Sequence, residues 1–595
     1  MLEKVLPAER PLFLGKERRP SAEPLLPHLS SANAAGVVAP SRPGRWTKVL
    51  AALLLLYGLA TFGTSKRPFG WMASRRGAPV CEAEGLASPT IPRRDDQHRV
   101  VVRVRPASAD EPRLRNPDNT VLPQAFHPLL TAENARLFSR HSSALPLASG
   151  HPKNCITPAS HSLPILPKLE SSAHDPEVFF AISTSPERAV KYAPVWRHFM
   201  LAPQPTTPAL DDIRGRPRPP TAPGCVVTDA QGANDGKGQA MANAEFRRQG
   251  LSCIMRDSSR VGERYEMRVL GLIKDAWQES ERRRWQDGAS LVEWFVFGDD
   301  DTWWTDPVML RQLLAGYDSR EELILGTFSE TRGNFDMFGR IAFGGGGIVI
   351  SRSLVRKMQG MLDKCAERFA HIFGGDGLIS ECAAWTRNVP LDQLVEEVPA
   401  MRQMDIRGDA TGYFTAGTAP FLSLHHWSSW LDVFPGIDAF KAIDLLSSAA
   451  SAVGGPNFLR RWIFDEGRVA WTVGHSIAVH REALTPEDLT RIEWTWSEHP
   501  PRRESRRALA EGEEKLTYYL TSVERLSSDL VLFKHTCSHP SVQSGLREID
   551  VMWNTRSESP TWQDRWLPGW NAAADVARGR AFEREKVKRR VEYAA

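Results

Sequence analysis

The sequence has little of several things that commonly classify a chain of 595 residues. Cysteine is scarce: there are seven, none in a CxxC or Cys/His spacing, which argues against a structural zinc site. Their odd number leaves at least one thiol without a partner in the chain. Cys225 with Cys253, or Cys365 with Cys382, are candidates for disulfides in an oxidising compartment, which spacing alone does not establish. A charge excess is also missing: 75 Lys and Arg against 71 Asp and Glu give a net charge of +4, no footprint for nucleic acid. No internal repeat is evident, and no apolar run reaches the roughly 20 residues of an ordinary membrane span. Tyrosine is rare, 8 against 19 tryptophans. Trp-rich surfaces often meet sugars or partners, although most tryptophans are core.

What is present suits a globular protein. A hydrophobic content of 42% with 25% charged residues can build a sizeable core, and the length allows two to four domains. Residues 1–48 are rich in Pro, Ala, Ser and Arg and read as disordered. Residues 49–63, VLAALLLLYGLATFG, are free of charge and bounded by Lys48 and by Lys66 and Arg67. Trp46 and snorkelling lysines can extend this short run, so a single membrane anchor is expected over 49–64. The flanking charges do not set its orientation. Residues 65–172 are again Pro-, Ser- and Arg-rich and read as a stem. An α/β domain is expected over 173–440, and an extension packing on it over 441–595, ending in a strongly charged tail.

Within 173–440, short apolar runs alternate with helical periodicity. VFFAI at 178–182 reads as a strand, followed by a Ser-Thr-Ser-Pro turn that begins at Ser183 and by a helix over 187–200. A second strand, 225–227, ends at Thr228 and Asp229. Residues 262–277 have helical spacing. The chain is organised around 291–304, LVEWFVFGDDDTWW: a buried strand broken by Gly298 and followed by Asp299, Asp300 and Asp301. Adjacent like charges at a buried strand end repel, and each costs free energy to desolvate. A divalent cation removes that cost, and hard oxygen ligands suit Mg²⁺ or Mn²⁺. The bland alternative is a solvated acidic turn.

Three later stretches bear on that choice. Gly344, Gly345, Gly346 and Gly347 lie between apolar residues, where a glycine run allows close backbone approach, or forms a flexible turn. Asp376, in Gly-Gly-Asp-Gly before a helix, is either an N-cap or a carboxylate facing a cleft and able to accept a proton. His425 and His426 lie in FLSLHHWSSW; on a strand they point to opposite faces, so one at most would serve a site.

In this order the motifs resemble the Fringe-related β-1,3-glycosyltransferases, closest to a fungal and plant Fringe-like branch. The likeness covers roughly 176–430 and runs more weakly through Ile477. It implies an α/β GT-A nucleotide-sugar-binding fold, a Rossmann-like mixed sheet flanked by helices, with an N-terminal anchor and stem. It also implies an inverting transferase using a UDP-sugar donor and Mn²⁺ or Mg²⁺. The metal ligands implied are Asp299, Asp301 and His425, or His426 in the other register. The catalytic base implied by the resemblance is Asp376. Donor binding falls to Asp299, Asp300 and Asp301, to Gly345, Gly346 and Gly347, and to Ser183 and Asp229. The expected layout is a single-pass type II Golgi membrane protein with residues 1–48 cytoplasmic, a luminal catalytic domain, and a glycan or glycoprotein acceptor. Trp303 and Trp304 stand where many relatives carry tyrosine, and Gly375 where animal Fringes have a second acid. Two other classes stay open. One is an aspartate-nucleophile phosphohydrolase, which needs Thr or Val where Trp303 stands; the other is a non-catalytic sugar-binding membrane protein of the same fold.

Overall fold

The computed structural model describes residues 165, 168–169, 171, 175–201, 222–229, 236–417, 420–464, 467–542 and 547–555, with the backbone of five further strands between 81 and 163. The expected disordered tail, the membrane anchor over 49–64 and the charged end after residue 572 lie outside these residues. Among those described, no helix is long and apolar enough to cross a membrane.

A seven-stranded sheet carries the first half of the fold. Its strands in chain order are β1 (Val178–Thr184), β2 (Gly224–Asp229), β3 (Cys253–Arg256), β4 (Trp294–Gly298), β5 (Ile324–Gly326), β6 (Ile348–Ser351) and β7 (Val395–Glu397). Across the sheet the order is β7-β5-β6-β4-β1-β2-β3. Every pairing is parallel except the two made by β6, which runs against β4 and β5. β1 is apolar along nearly its whole length, as a strand covered on both faces must be. Phe180 and Ile182 belong to the core on one face, Phe179 and Ala181 to the core on the other. The sheet is therefore mixed and flanked by helices, as expected.

Helix α1 (Pro186–Met200) follows β1 directly. The Ser185 hydroxyl accepts from the Arg188 amide, and Pro186 occupies the first turn, where its missing N–H costs nothing. Helix α2 (Gly236–Gln249) leads to β3, and helix α3 (Tyr265–Gln286) lies between β3 and β4. Helix α4 (Gly375–Arg387) starts at the Gly-Gly-Asp-Gly stretch, with Gly374 at its N-cap in a positive-φ conformation. Disulfides join Cys225 to Cys253 across β2 and β3, and Cys365 to Cys382; Cys537 is a buried free thiol.

A second sheet has eight strands. Six lie between Arg461–Phe464 and Glu548–Asn554 in an antiparallel meander. Residues 457–464 include a strand, and 469–479 hold two strands turned at Gly474. The remaining two strands, Arg99–Pro106 and Ala159–Leu163, add in parallel at the edge. Part of the segment expected as a stem is therefore strand: the valines of RVVVRVRP favour a pleated surface, whatever the composition around them. Trp471, Val551 and Trp553 of this sheet share one core cluster with α1 and β1.

His475 is buried between Phe434 and Phe414, ring centroids 4.9 and 5.0 Å away. Its nitrogens lie 2.9 Å from the Val433 carbonyl and 2.9 Å from the Ser476 hydroxyl. Burial holds its imidazole down at about 4 and that of His535 at about 3, against 6.5 in the unfolded chain. A depressed folded value contributes stability that is complete above pH 6.5 and is lost as pH falls through 4. Resistance to urea unfolding should therefore weaken on acidification over that window. Across that window a His475→Gln variant should lose about 3 kcal/mol less stability than the wild type.

Candidate active site

β1 and β4 are neighbours, but the chain leaves β1 toward β2 and leaves β4 toward β6 and β5. Such a reversal opens a crevice at the C-terminal strand ends, where open α/β sheets bind ligands. The acid triplet follows β4 immediately and sits in that crevice. Three adjacent carboxylates cannot share one small space, and the fold separates them.

Asp300 turns toward α1. Its carboxylate accepts two hydrogen bonds from the Arg188 guanidinium, at 2.6 and 2.5 Å, and a third from the Thr184 hydroxyl at the end of β1. Its backbone carbonyl accepts from the Trp196 indole at 2.9 Å. Asp300 is thus fully engaged with the protein, so the structure does not place it with its neighbours as a donor- or metal-facing group.

Asp299 and Asp301 turn the other way, toward one imidazole. His425 Nε2 lies 3.3 Å from Asp299 and 3.1 Å from Asp301. The Asp299 side chain is 45% exposed and Asp301 only 8%. Ser428 donates to Asp301 at 3.0 Å. Burial alone would raise Asp301, but the hydrogen bond and charge of His425 carry it down to about 2. For His425, burial alone would lower the imidazole, and Asp299 and Asp301 lift it to about 10.

The two histidines do not point to opposite faces. The strand Ser423–Leu424 ends before them, and His426 takes a left-handed φ of 57°. Its ring stacks between His425 and Trp430, each at a centroid distance of 3.7 Å, and its Nε2 lies 3.5 Å from Asp405. Asp301, His425 and His426 each offer a ligand atom within 4.8 Å of the others, a set of oxygen and nitrogen donors suited to a divalent cation.

The glycine run packs against this group. A Cβ on Gly345 would lie 1.9 Å from His425 Nδ1, and one on Gly347, at φ 96°, 2.7 Å from the Trp304 ring. Thr302 binds the run to the triplet: its hydroxyl accepts from the Asp299 amide and donates to the Gly345 carbonyl, both at 2.9 Å. The structure buries Gly345, Gly346 and Gly347, while Gly344 borders the open cleft.

That cleft, about 230 Å³, is lined by Ser183, Tyr265, Asp299, Gly344 and Asp376 among others. Asp376 is partly exposed in the first turn of α4 and accepts from the Gly377 amide at 2.8 Å and from Gly344 at 3.3 Å. Burial raises its pKa, backbone bonds from Gly377 and Gly344 oppose this, and the nearby Asp299 charge adds to the rise. Asp229, buried at the end of β2 opposite Thr184, is not among the cleft residues. Trp303, Trp304 and Trp427 are all buried, so none offers a face to a sugar. Reading the sequence missed Arg188, Thr302, Gln403 and Asp405, which carry no local signal of their partners.

Two families match the sequence: Fringe-like over residues 241–385 and a protein family of unknown function, DUF604, over 334–537. No curated protein matches by sequence. Among solved structures, the galactosyltransferase LgtC with donor and acceptor sugar analogues is 12% identical, over 40% of this chain and 77% of that one, at a TM-score of 0.23. Mouse xyloside xylosyltransferase 1 is 13% identical over 38% and 86%, at 0.23. A mannosyltransferase from Pyrobaculum calidifontis, in complex with GDP-Man and Mn²⁺, is 13% identical over 42% and 64%, at 0.22. The mixed sheet, the crevice at its strand ends and the Fringe-like match define a glycosyltransferase. The match to the Fringe-like family covers residues 241–385, less than half of the chain.

Removing Arg188 leaves the buried Asp300 carboxylate with the Thr184 hydroxyl but without its cationic partner. Arg188→Ala should cost roughly 1–3 kcal/mol in chemical denaturation, and adding Asp300→Ala should recover part of that loss. Gly345→Ala should lower the melting temperature through its clash with His425. Gly344→Ala, whose nearest neighbour is an ordinary 3.6 Å away, should not.

Proposed function

We propose that this protein is a metal-dependent inverting glycosyltransferase that moves a sugar from a UDP-sugar to a hydroxyl of a glycan or glycoprotein, in β-1,3 linkage. The observation that carries the reading is the convergence of Asp299 and Asp301 on His425, with Asp376 in the same cleft beside Gly344. The donor set fits Mn²⁺ or Mg²⁺: two carboxylates share one imidazole, with His426 close by. The lift on His425 shows how strongly these carboxylates favour a positive charge between them.

Asp299, Asp301 and His425 would hold the cation. When bound, it supplies positive charge against the negative charge that develops on the departing UDP. The remaining chemistry falls to the chain itself. Asp376 accepts the proton of the acceptor hydroxyl, whose oxygen forms the new bond to the anomeric carbon. The bond from that carbon to the UDP oxygen breaks, and UDP leaves with the electron pair. Attack from the opposite face inverts the anomeric centre. A carboxylate raised by burial holds a proton more readily than an exposed one, which suits a base. Ser183 lines the same cleft as Asp299, which supports a role for it at the donor.

The proposed setting is the Golgi membrane, the protein being single-pass type II with one N-terminal helix in the bilayer and the catalytic part luminal. The charge-free run at 49–63 and the pairs Cys225–Cys253 and Cys365–Cys382, which suit an oxidising compartment, support it.

Incubation with a panel of UDP-sugars and Mn²⁺ should release UDP from one donor. Asp376→Asn should fold normally and lose roughly 10²-fold or more in rate. Asp301→Ala should lose its response to Mn²⁺. Wild-type rates in Asp376→Asn would remove the base assignment, and silence with every donor would favour a sugar-binding protein.

A further inference from the structure

We infer that Gln403, with Glu330 behind it, is the positioning residue that holds the His425 ring toward Asp299 and Asp301. The inference rests on the cation reading above and concerns how its imidazole is aimed.

An imidazole that binds a cation through Nε2 needs its proton on Nδ1, and the group that accepts this proton fixes both tautomer and ring orientation. Here that acceptor is the Gln403 backbone carbonyl, 3.2 Å from His425 Nδ1. A backbone carbonyl aims a ring only as well as its own peptide is held, and this peptide is held on several sides. The Gln403 side chain accepts from the Gly346 amide at 2.7 Å and donates to Asp405 at 3.1 Å. Asp405 in turn faces His426 Nε2 at 3.5 Å, so one residue contacts the supports of both histidines.

Glu330 completes the arrangement. Its carboxylate accepts from two successive amides, Gln403 at 3.0 Å and Met404 at 2.8 Å. Met404 has a left-handed φ of 58°, unfavourable for a side-chain-bearing residue, so the turn persists only because its surroundings hold it. Glu330 is 9% exposed and Gln403 6%. A buried carboxylate spent on two amides of a strained turn is costly to keep for packing alone. Its position is explained if the turn has to present one carbonyl to one ring. Gly345 has no Cβ, and the His425 ring fills the place a Cβ would take. The ring is thus held at Nδ1 by the Gln403 carbonyl and packed against Gly345, with its Nε2 3.3 Å from Asp299 and 3.1 Å from Asp301.

The experiment titrates the full-length chain with Mn²⁺, with and without UDP, and reads binding from the loss of the free-ion paramagnetic resonance signal. Melting temperature is recorded beside it. Gln403→Met keeps the length of the side chain but removes its acceptor and donor; Glu330→Gln keeps shape but loses one of two paired acceptors. Either variant should bind Mn²⁺ roughly 10- to 100-fold more weakly. The Mn²⁺ concentration for half-maximal UDP release should rise in parallel, with a smaller change in the rate at saturating Mn²⁺. If a variant melts lower but binds Mn²⁺ as the wild type does, Gln403 and Glu330 only pack, and the inference is overturned while the cation reading stands. If wild-type protein itself does not bind Mn²⁺ under either condition, the cation reading fails and takes this inference with it. Should Gln403→Met not fold, Glu330→Gln decides by the same criterion.

Discussion

Repulsion among three consecutive carboxylates at the end of a buried strand is the constraint that the site is built to meet. Asp299, Asp300 and Asp301 cannot all face one way at the mouth of a hydrophobic sheet. The fold divides them. The middle carboxylate is neutralised from α1 by the two-pronged guanidinium of Arg188, and the outer two share the imidazole of His425. The arrangement needs β1, because Thr184 at its end and Arg188 in the following helix are the partners of Asp300. It also needs the turn after Ser423–Leu424, because His425 must arrive from the opposite side. The adjacency of β1 and β4, at the point where strand order reverses, brings these requirements to one place.

The sequence made the centre legible and left its supports obscure. An apolar strand running into three acids is unusual enough to announce itself, and Gly-Gly-Asp-Gly before an amphipathic segment marks a helix start. Strands and helices of the mixed sheet follow the periodicity of the apolar residues. What periodicity cannot carry is partnership across distance. Arg188 and Asp300 are 112 residues apart, and Gln403 and Gly346 are 57 apart. His425 and His426 were expected on opposite faces because the segment reads as a strand; the strand stops one residue earlier, and a left-handed His426 folds both rings toward one place. The tryptophans beside the acids invited a sugar-stacking role, yet Trp303 and Trp304 pair with Leu424 and Ser423 and are core. The valines of Arg99–Pro106 sit in surroundings so rich in Pro and Ser that composition averages conceal the strand.

The glycine run shows most clearly that the site is one solid unit. A stretch of four glycines invites the idea of a pliant loop, but Gly345 and Gly347 are close-packed against an imidazole and an indole. Their lack of a side chain serves close approach more than freedom of movement. Through Thr302 the run is bonded to the acids, through Gly346 to Gln403, and through the Gly344 amide to Asp376. Asp376 and Asp299 are therefore joined by a short path of hydrogen bonds along the glycine backbone.

Such rigidity bears on chemistry. Inversion by direct displacement asks that the acceptor hydroxyl and the leaving diphosphate lie on opposite sides of one carbon, so the groups serving each must keep a fixed separation. Under the proposed function, holding Asp376 and the Asp299–His425–Asp301 group from the same glycine backbone would serve this separation. The charge relations agree with the division of labour. Asp301 is kept ionised by the histidine it faces, whereas Asp376 is pushed up by burial and by Asp299. Two carboxylates close to one backbone segment are thus driven in opposite directions, one toward holding positive charge and the other toward holding a proton.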